Sequence, residues 1–508
     1  PLERRCASAV VLPSRLRGAD GAPVESPFET VVPDDQREAL EPLLPLLPRY
    51  GLAAGDVAFA WMFTVGTMTK DVEMLRAGLY GHGPLGRLAD EFPVSGFDPK
   101  TRNEWRAIGG DPALPDGGDD RLLEGGCLSA TFATLAGQYD GDKQICGGYA
   151  DYTSIGSMFA GTFTAPNLLV DKNGEATPMY PGDEDETWDL YDESGRVTYG
   201  SADVTFFCVL PRDEARPEGV ECEPGNPEGK PWCRPYPVVF YSHGYGSFKG
   251  EAVLHAGRHT QMGMAACGID SFGHGLRTVF QPGCPGTADF AIGKILLARF
   301  GYPEVANMIF YGRDRDLNND GCFDGGADQW TANTFHTRDV VRQSVLEQMQ
   351  FVRMLHAVDG VNRDADGYLL GDIDGDGVLD IGGARAVTAA WGISLGGQLT
   401  GVLAGAEPAL DAVSPNAVGA GLTDIAARLG EGGLAEAVML PVQGPVMVAC
   451  LPVDEHQNPL TGGAAGSGCL PRMNRQPEAA RGPQPAGELL LAWYAHDNAS
   501  FAVHAFAR

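Results

Sequence analysis

Between residues 56 and 79 the chain changes hydrophobic rhythm. Asp56–Val65 is an apolar run of strand length, and Thr69-Lys70-Asp71 then opens a stretch with Val72, Leu75 and Leu79 at helical spacing. A Pro-broken apolar stretch, Leu43–Pro48, precedes them. From 101 to 235, short β-prone runs such as Ser157–Thr164 and Asp203–Leu210 stand between acidic turns and predict a mostly antiparallel β layer. After Pro237, strand and helix patterns alternate, which predicts a mostly parallel sheet with covering helices. The expected strands are Val238–Tyr241, Met264–Asp270, Ala386–Ile393 and Leu410–Ser414; the expected helices are Lys249–Met262, Thr337–Ala357 and Leu395–Ala404. In the long helix Val340, Val341, Val345, Met349, Val352 and Leu355 are placed inward.

The resulting organisation has a small N-terminal module over 1–100 and a β-rich region over 101–235. An α/β core over 236–450 follows, with an enlarged acidic crossover at 276–385, and then a C-terminal extension over 451–508 that reads as the start of a further domain. Composition narrows the partners. Sixty-seven acidic against 37 basic residues leave a net charge of -30, which repels phosphate backbones and anionic membrane surfaces, so nucleic acid is excluded as a partner. No run reaches the ~18 apolar residues of a membrane span. Eleven cysteines, with Cys127/Cys146, Cys222/Cys233 and Cys450/Cys469 at loop-like spacing, read as disulfide staples of a secreted or cell-surface protein. Cys267, inside an apolar run, reads as a buried free thiol.

Two motifs carry chemistry. Trp391-Gly392-Ile393-Ser394-Leu395-Gly396-Gly397 lies where a predicted strand passes into a small-residue helix, the setting in which G-x-S-x-G lifts a serine out of the sheet at a helix N-terminus. Ser394 is the expected nucleophile. Ser242-His243-Gly244-Tyr245-Gly246 directly follows a buried strand, and an HG turn there supplies a backbone N–H for a developing oxyanion. The Tyr245 and Leu395 amides are the expected donors, Gly244 and Gly246 permit the turn, and His243 is expected to hold the loop rather than act as a base.

On these motifs the sequence resembles the α/β-hydrolase superfamily of serine esterases and lipases, over roughly residues 203–450. Pro235–Val239 before the HG turn and Asp270-Ser271-Phe272-Gly273-His274-Gly275 extend the match. More narrowly, Ala60–Thr64 and Thr337–Ser344 beside acidic loops look like the secreted bacterial lipases whose N-terminal domain is named for virulence-factor lipases. That resemblance implies a lipase or lysophospholipase at the cell surface, acting on small-molecule or lipid esters without an organic cofactor.

Two acidic loops in the crossover share the spacing D-x-[DN]-x-D-G-x-x-D: Asp316, Asn318, Asp320 and Asp324, then Asp372, Asp374, Asp376 and Asp380. Alternate carboxylates on one side of a sharp Gly turn suit a hard cation, so structural Ca²⁺ is expected at both, and Asn362–Gly367 is a partial third loop. His255 and His259 stand four apart but lack a third ligand, and read as a surface pair. Phe290–Phe300 reads as a lid or a core-packing helix.

A serine triad of this order needs an acid and then a histidine after Ser394. Asp411, Asp424, Asp454 and Asp497 are the available acids, Asp454 the best placed; His456, His496 and His504 are the histidines. Neither His496 nor His504 sits in a Gly-rich loop, so the expectation is a fragment whose histidine lies beyond residue 508. Two rivals stand beside the esterase reading: a serine peptidase or polyester depolymerase of the same fold, and a calcium-stabilised surface-binding protein without catalysis.

Overall fold

A computed structural model describes residues 7–18, 20–26, 32, 36–64, 69–100, 154–171, 186–188, 190, 195–277, 281, 283–284, 303–317, 321–330, 334–358, 360–364, 367–419, 422, 448–450 and 469–471. The chain divides into two units, 1–71 and 72–508. In the first, β1 (Ala7–Pro13) pairs antiparallel with β2 (Val57–Thr64), Ala7 opposite Thr64. The Pro-broken stretch forms a 3₁₀ helix over Glu41–Tyr50, where Pro45 and Pro48 withdraw two backbone donors, and it ends at Gly51 with φ 68°. Helix α1 (Lys70–Leu79) enters the second unit and buries Val72, Leu75 and Leu79, the expected face.

The second unit is built on a six-stranded sheet. Its strands are β3 (Ile155–Asn167), β4 (Gly200–Pro211), β5 (Val238–Ser242), β6 (Ala265–Ile269), β7 (Thr388–Ile393) and β8 (Ala412–Asn416), in the order β3-β4-β6-β5-β7-β8. β5 runs parallel to β6 and β7, and β7 parallel to β8, while β3 and β4 form an antiparallel pair continuous with them. The expected β layer therefore joins the core sheet itself. β5 and β6 are buried along their whole length, as parallel strands covered on both faces must be. β8 is an exposed edge.

Helix α2 (Ala252–Thr260) links β5 to β6, and α3 (Pro303–Phe310) and α4 (Thr334–Ala357) belong to the crossover before β7. α5 (Leu395–Ala406) follows β7. All six α4 residues expected to face inward are buried, and Phe351 on the same helix lies 5.6 Å from the rings of Phe163, Phe206 and Phe240 on three different strands. Beyond the sheet, β9 (Val448–Cys450) and β10 (Cys469–Pro471) form a short antiparallel pair that sets Cys450 opposite Cys469. The sheet is mixed and mostly parallel, with helices between its strands, the α/β architecture that the sequence predicts. Among the described residues no helix is long and apolar enough to cross a membrane.

The cysteines correct one expectation. Cys267 is not a free thiol: it is bonded to Cys208, its direct partner in the β4–β6 register, and both are fully buried. Cys222–Cys233 is present as expected, and Cys284–Cys322, which spacing did not reveal, closes the first acidic loop. Cys127, Cys146 and the run 290–300 lie outside the described residues.

Candidate active site

Register brings the two motifs together. Ser242 at the end of β5 pairs with Gly392 near the end of β7, so the HG turn and Ser394 leave the sheet side by side. Ser394 is exposed and has φ 57° and ψ -118°, a conformation costly for a residue with a side chain. Its amide donates to the Asn416 carbonyl at 3.1 Å, and its carbonyl accepts from Gln398 N at 3.1 Å, which opens α5. The flanking glycines are required by contact. A methyl at Gly392 would lie 2.3 Å from the Gly396 oxygen, one at Gly396 1.9 Å from the Ser242 oxygen, and one at Gly397 2.3 Å from the Asn416 oxygen. Leu395 is the first residue of α5, so its amide belongs to the unsatisfied N-terminal set.

The HG turn reaches the serine from β5. A Cβ built on Gly244 would stand 3.8 Å from Ser394 Cβ, which puts Tyr245 at the mouth of the site with its side chain exposed. The Gly244 amide points elsewhere, donating to Glu251 Oε2 at 3.5 Å, and Ser247 Oγ donates to the same oxygen at 2.9 Å. Gly244 therefore shapes the turn and does not face an oxyanion. His243 is fully buried; Nδ1–H donates to the Gly244 carbonyl at 2.8 Å, and Nε2 accepts from Ser271 N at 2.9 Å. Burial lowers its pKa, so the ring is neutral and tied at both nitrogens.

Beneath the turn lies a polar layer that sequence reading missed. Lys249 and Asp270, both buried, are joined by Nζ–Oδ2 and N–Oδ1 contacts of 2.6 Å each, and Nζ also donates to the Tyr311 carbonyl at 2.8 Å. Desolvation pushes the lysine down and the aspartate up. His274 donates from Nδ1 to Phe272 O at 3.0 Å and lies 5.8 Å from the Tyr245 ring, while its Nε2 has no hydrogen-bond partner among the described residues. Burial, helped by neighbouring His243, lowers it to about 4. Further along the crossover, Arg315 binds Glu186 through two bonds and Asp328 through one, and His336 donates to Asp328 at 2.7 Å. Asp270 and His274 belong to the Asp270–Gly275 turn already singled out, but the pairings of Lys249 with Asp270, Arg315 with Glu186 and Asp328, and His336 with Asp328 span 8 to 129 positions, so local spacing carries no signal for them.

The triad partners are not assembled by the described residues. Asp411 precedes β8 and accepts from Thr388 N, at the amino ends of the strands and so opposite Ser394. Asp424, Asp454, Asp497, His456, His496 and His504 lie outside the described residues. His255 and His259 do not stand out on the surface as expected: their rings pack 4.8 and 5.9 Å from Trp391, and burial with the neighbouring His255 lowers His259 to about 4.

The acidic loops differ in what is visible. In the second, ligand-type oxygens of Asp372, Asp374 and Asp376 lie within 4.8 Å of one another. Arg234 already reaches Asp374, Asp376 and Asp380 through Nη1 at 3.2, 3.0 and 3.1 Å. Asp372 accepts from Gly375 N and Gly377 N, and Asp380 Oδ2 from Ile373 N at 2.7 Å. In the first loop Asn318 and Asp320 lie outside the described residues, while Asp316 and Asp324 accept from Gly321 N and Leu317 N. In the partial third loop Asp364 Oδ1 accepts from Tyr368 N, closing a tight turn.

No protein-family model matches this chain, and no curated protein does. Solved structures similar to it include two acetyl xylan esterases. An acetyl xylan esterase from Paenibacillus sp. R4 is 14% identical, with a TM-score of 0.28 over 67% of this chain and 70% of that one. Acetyl xylan esterase 1 from Thermoanaerobacterium sp. JW/SL YS485 is 12% identical, with a TM-score of 0.20 over 45% of this chain and 50% of that one. Likenesses this distant carry no argument about activity, which rests on the site itself.

Proposed function

We propose that this protein is a serine hydrolase of carboxylic esters with Ser394 as nucleophile. The observation that carries the reading is the strained, exposed Ser394 backbone, held by glycine contacts against the HG turn. Ser394 Oγ attacks the ester carbonyl, its proton passing to a histidine supplied from outside the described residues. The oxyanion that forms is met by the Tyr245 and Leu395 amides, with the N-terminal end of α5 adding favourable potential. Collapse expels the alcohol and leaves an acyl-serine that water then hydrolyses. The disulfides Cys208–Cys267, Cys222–Cys233 and Cys284–Cys322 support a secreted or cell-surface location. A lipase-type substrate is the finer form of this reading, motivated by the sequence resemblance alone.

Calcium is part of the proposal for the second acidic loop. Hard carboxylate oxygens of Asp372, Asp374 and Asp376 converge there, which suits the ion, and Arg234 competes for the same carboxylates. The functional test is labelling with a fluorophosphonate beside hydrolysis of p-nitrophenyl esters of graded chain length and of peptide amides. Labelling and ester turnover lost in folded Ser394→Ala are expected. A chain that carries the triad histidine yet neither labels nor turns over would favour the surface-binding rival, and preferred amide cleavage the peptidase.

A further inference from the structure

We propose that the buried Lys249–Asp270 ion pair is a positioning device that sets where the Tyr245 amide points, an inference that rests on the serine hydrolase reading of Ser394. The loop carrying Tyr245 is anchored at its two ends to two consecutive residues just beyond β6, Ser271 and Asp270. At its start, His243 Nε2 accepts from Ser271 N at 2.9 Å. At its end, Lys249 gives both its backbone N–H and its ammonium to Asp270, at 2.6 Å each. Between these anchors residues 244–248 arch past Ser394; Tyr245 and Gly246 are exposed, and Glu251 ties Gly244 and Ser247 to each other across the arch, so the ends fix where the arch as a whole sits.

A hydrophobic contact at position 249 would hold the loop end in place but leave its rotation free. One carboxylate gripped by the amide and the side chain of the same residue fixes both. The ammonium then extends the grip to the Tyr311 carbonyl, which also accepts from Thr205 Oγ1 on β4. Arg277 and Asp314, paired at 2.7 Å, are the neighbouring charges, and they balance each other. Taking such a pair out of water is expensive, and apolar replacements are often as stable, so stability alone gives no reason for it. Geometry beside the nucleophile does.

The test compares wild type, Lys249→Met, Asp270→Asn and the double variant, with Arg76→Met/Glu407→Gln as a control. The control pair, bonded at 2.9 Å, joins α1 to the residue after α5, away from the loop. The single variants each leave one buried partner without its mate and are expected to lose stability. The double variant removes both charges, retains an acceptor oxygen for Lys249 N, and is expected to fold. Its kcat should fall about 10- to 100-fold with KM little changed, and fluorophosphonate labelling should slow in proportion. Amide hydrogen exchange over 244–248 should quicken in the double variant but not in the control. Wild-type kcat and unchanged exchange in the double variant would overturn the proposal, as would an equal kcat loss in the control. If the wild-type chain, carrying its triad histidine, shows no labelling or turnover, the hydrolase reading fails, and unchanged exchange over 244–248 would separately show that the pair does not hold the loop.

Discussion

Gly396→Ala tests the packing on which the site depends. The added methyl would lie 1.9 Å from the Ser242 carbonyl oxygen and 2.6 Å from that of His243. Unstrained contact needs about 3.5 Å, so the start of α5 must retreat from β5 by roughly 1.5 Å. Both oxygens are backbone, and β5 is paired on either side with β6 and β7, so no side-chain rotation relieves the clash. Ser394 caps α5 and moves with it, whereas Tyr245 stays with β5. A displacement of ~1 Å at a reacting centre costs on the order of 100-fold in rate, and overpacking adds about 1–3 kcal/mol of lost stability. Ester hydrolysis measured well below both melting temperatures should show kcat down about 100-fold, beside a lower melting temperature. Gly55→Ala, where the methyl meets nothing within 4 Å, should change neither. Full activity in Gly396→Ala would refute the argument that the α5–β5 contact sets the distance between nucleophile and oxyanion donors.

Calcium should raise the melting temperature and chelator lower it, Asp374→Ala with Asp376→Ala should blunt the response, and Arg234→Gln should enlarge it by removing the competing cation; no shift at millimolar calcium in wild type would refute a site. His259 is held at about 4 in the fold, below an unfolded value near 6.5, so the native state binds fewer protons between those values. Its contribution, about 3 kcal/mol, is complete above pH 6.5 and lost as pH falls toward 4, so His259→Gln should flatten the fall in melting temperature across that window. An unchanged slope would mean the ring is solvated. Cys208→Ala with Cys267→Ala should cost about 4 kcal/mol from the 59-residue separation alone, read as a lowered melting temperature; an unchanged melt would refute it.

The strand–helix alternation was legible because parallel strands buried on both faces read as unbroken apolar runs. Val238–Ser242 and Thr388–Ile393 fall where their patterns place them. The two turns were legible because the chemistry of a sharp strand-to-helix bend demands small residues at fixed offsets. What resisted reading depends on pairings distant in sequence. β1 has no distinctive pattern, and becomes a strand by pairing with β2 some fifty residues later. On α4, Asp339, Gln343, Glu347 and Gln350 suggest a solvated stripe, yet all are buried. Three of them meet backbone: Asp339 accepts from Trp188 N, Gln343 donates to Pro166 O, and Gln350 donates to Phe92 O, while Glu347 accepts from Arg313 and Gln343. Cys267 was misread for the same reason, since its partner is fixed by strand order rather than by spacing.

Charge gives the crossover its logic. In a chain with 67 acidic and 37 basic residues, positive groups are scarce, and some half-buried arginines each serve more than one carboxylate. Arg315 holds Glu186 and Asp328, Arg313 holds Glu347, and Arg277 holds Asp314. Arg234 is stretched furthest, across Asp213, Asp374, Asp376 and Asp380. One guanidinium against four carboxylates leaves the second loop short of positive charge, and a divalent cation is the simplest group that would correct it without another side chain. The loop's carboxylates flank β5 through Arg234, which stands just before that strand, and β5 carries the HG turn at its other end. Stability at the acidic loop and geometry at Ser394 therefore share a strand, so melting temperature and ester turnover measured together at each calcium concentration reveal whether charge at one end of β5 is felt at the other.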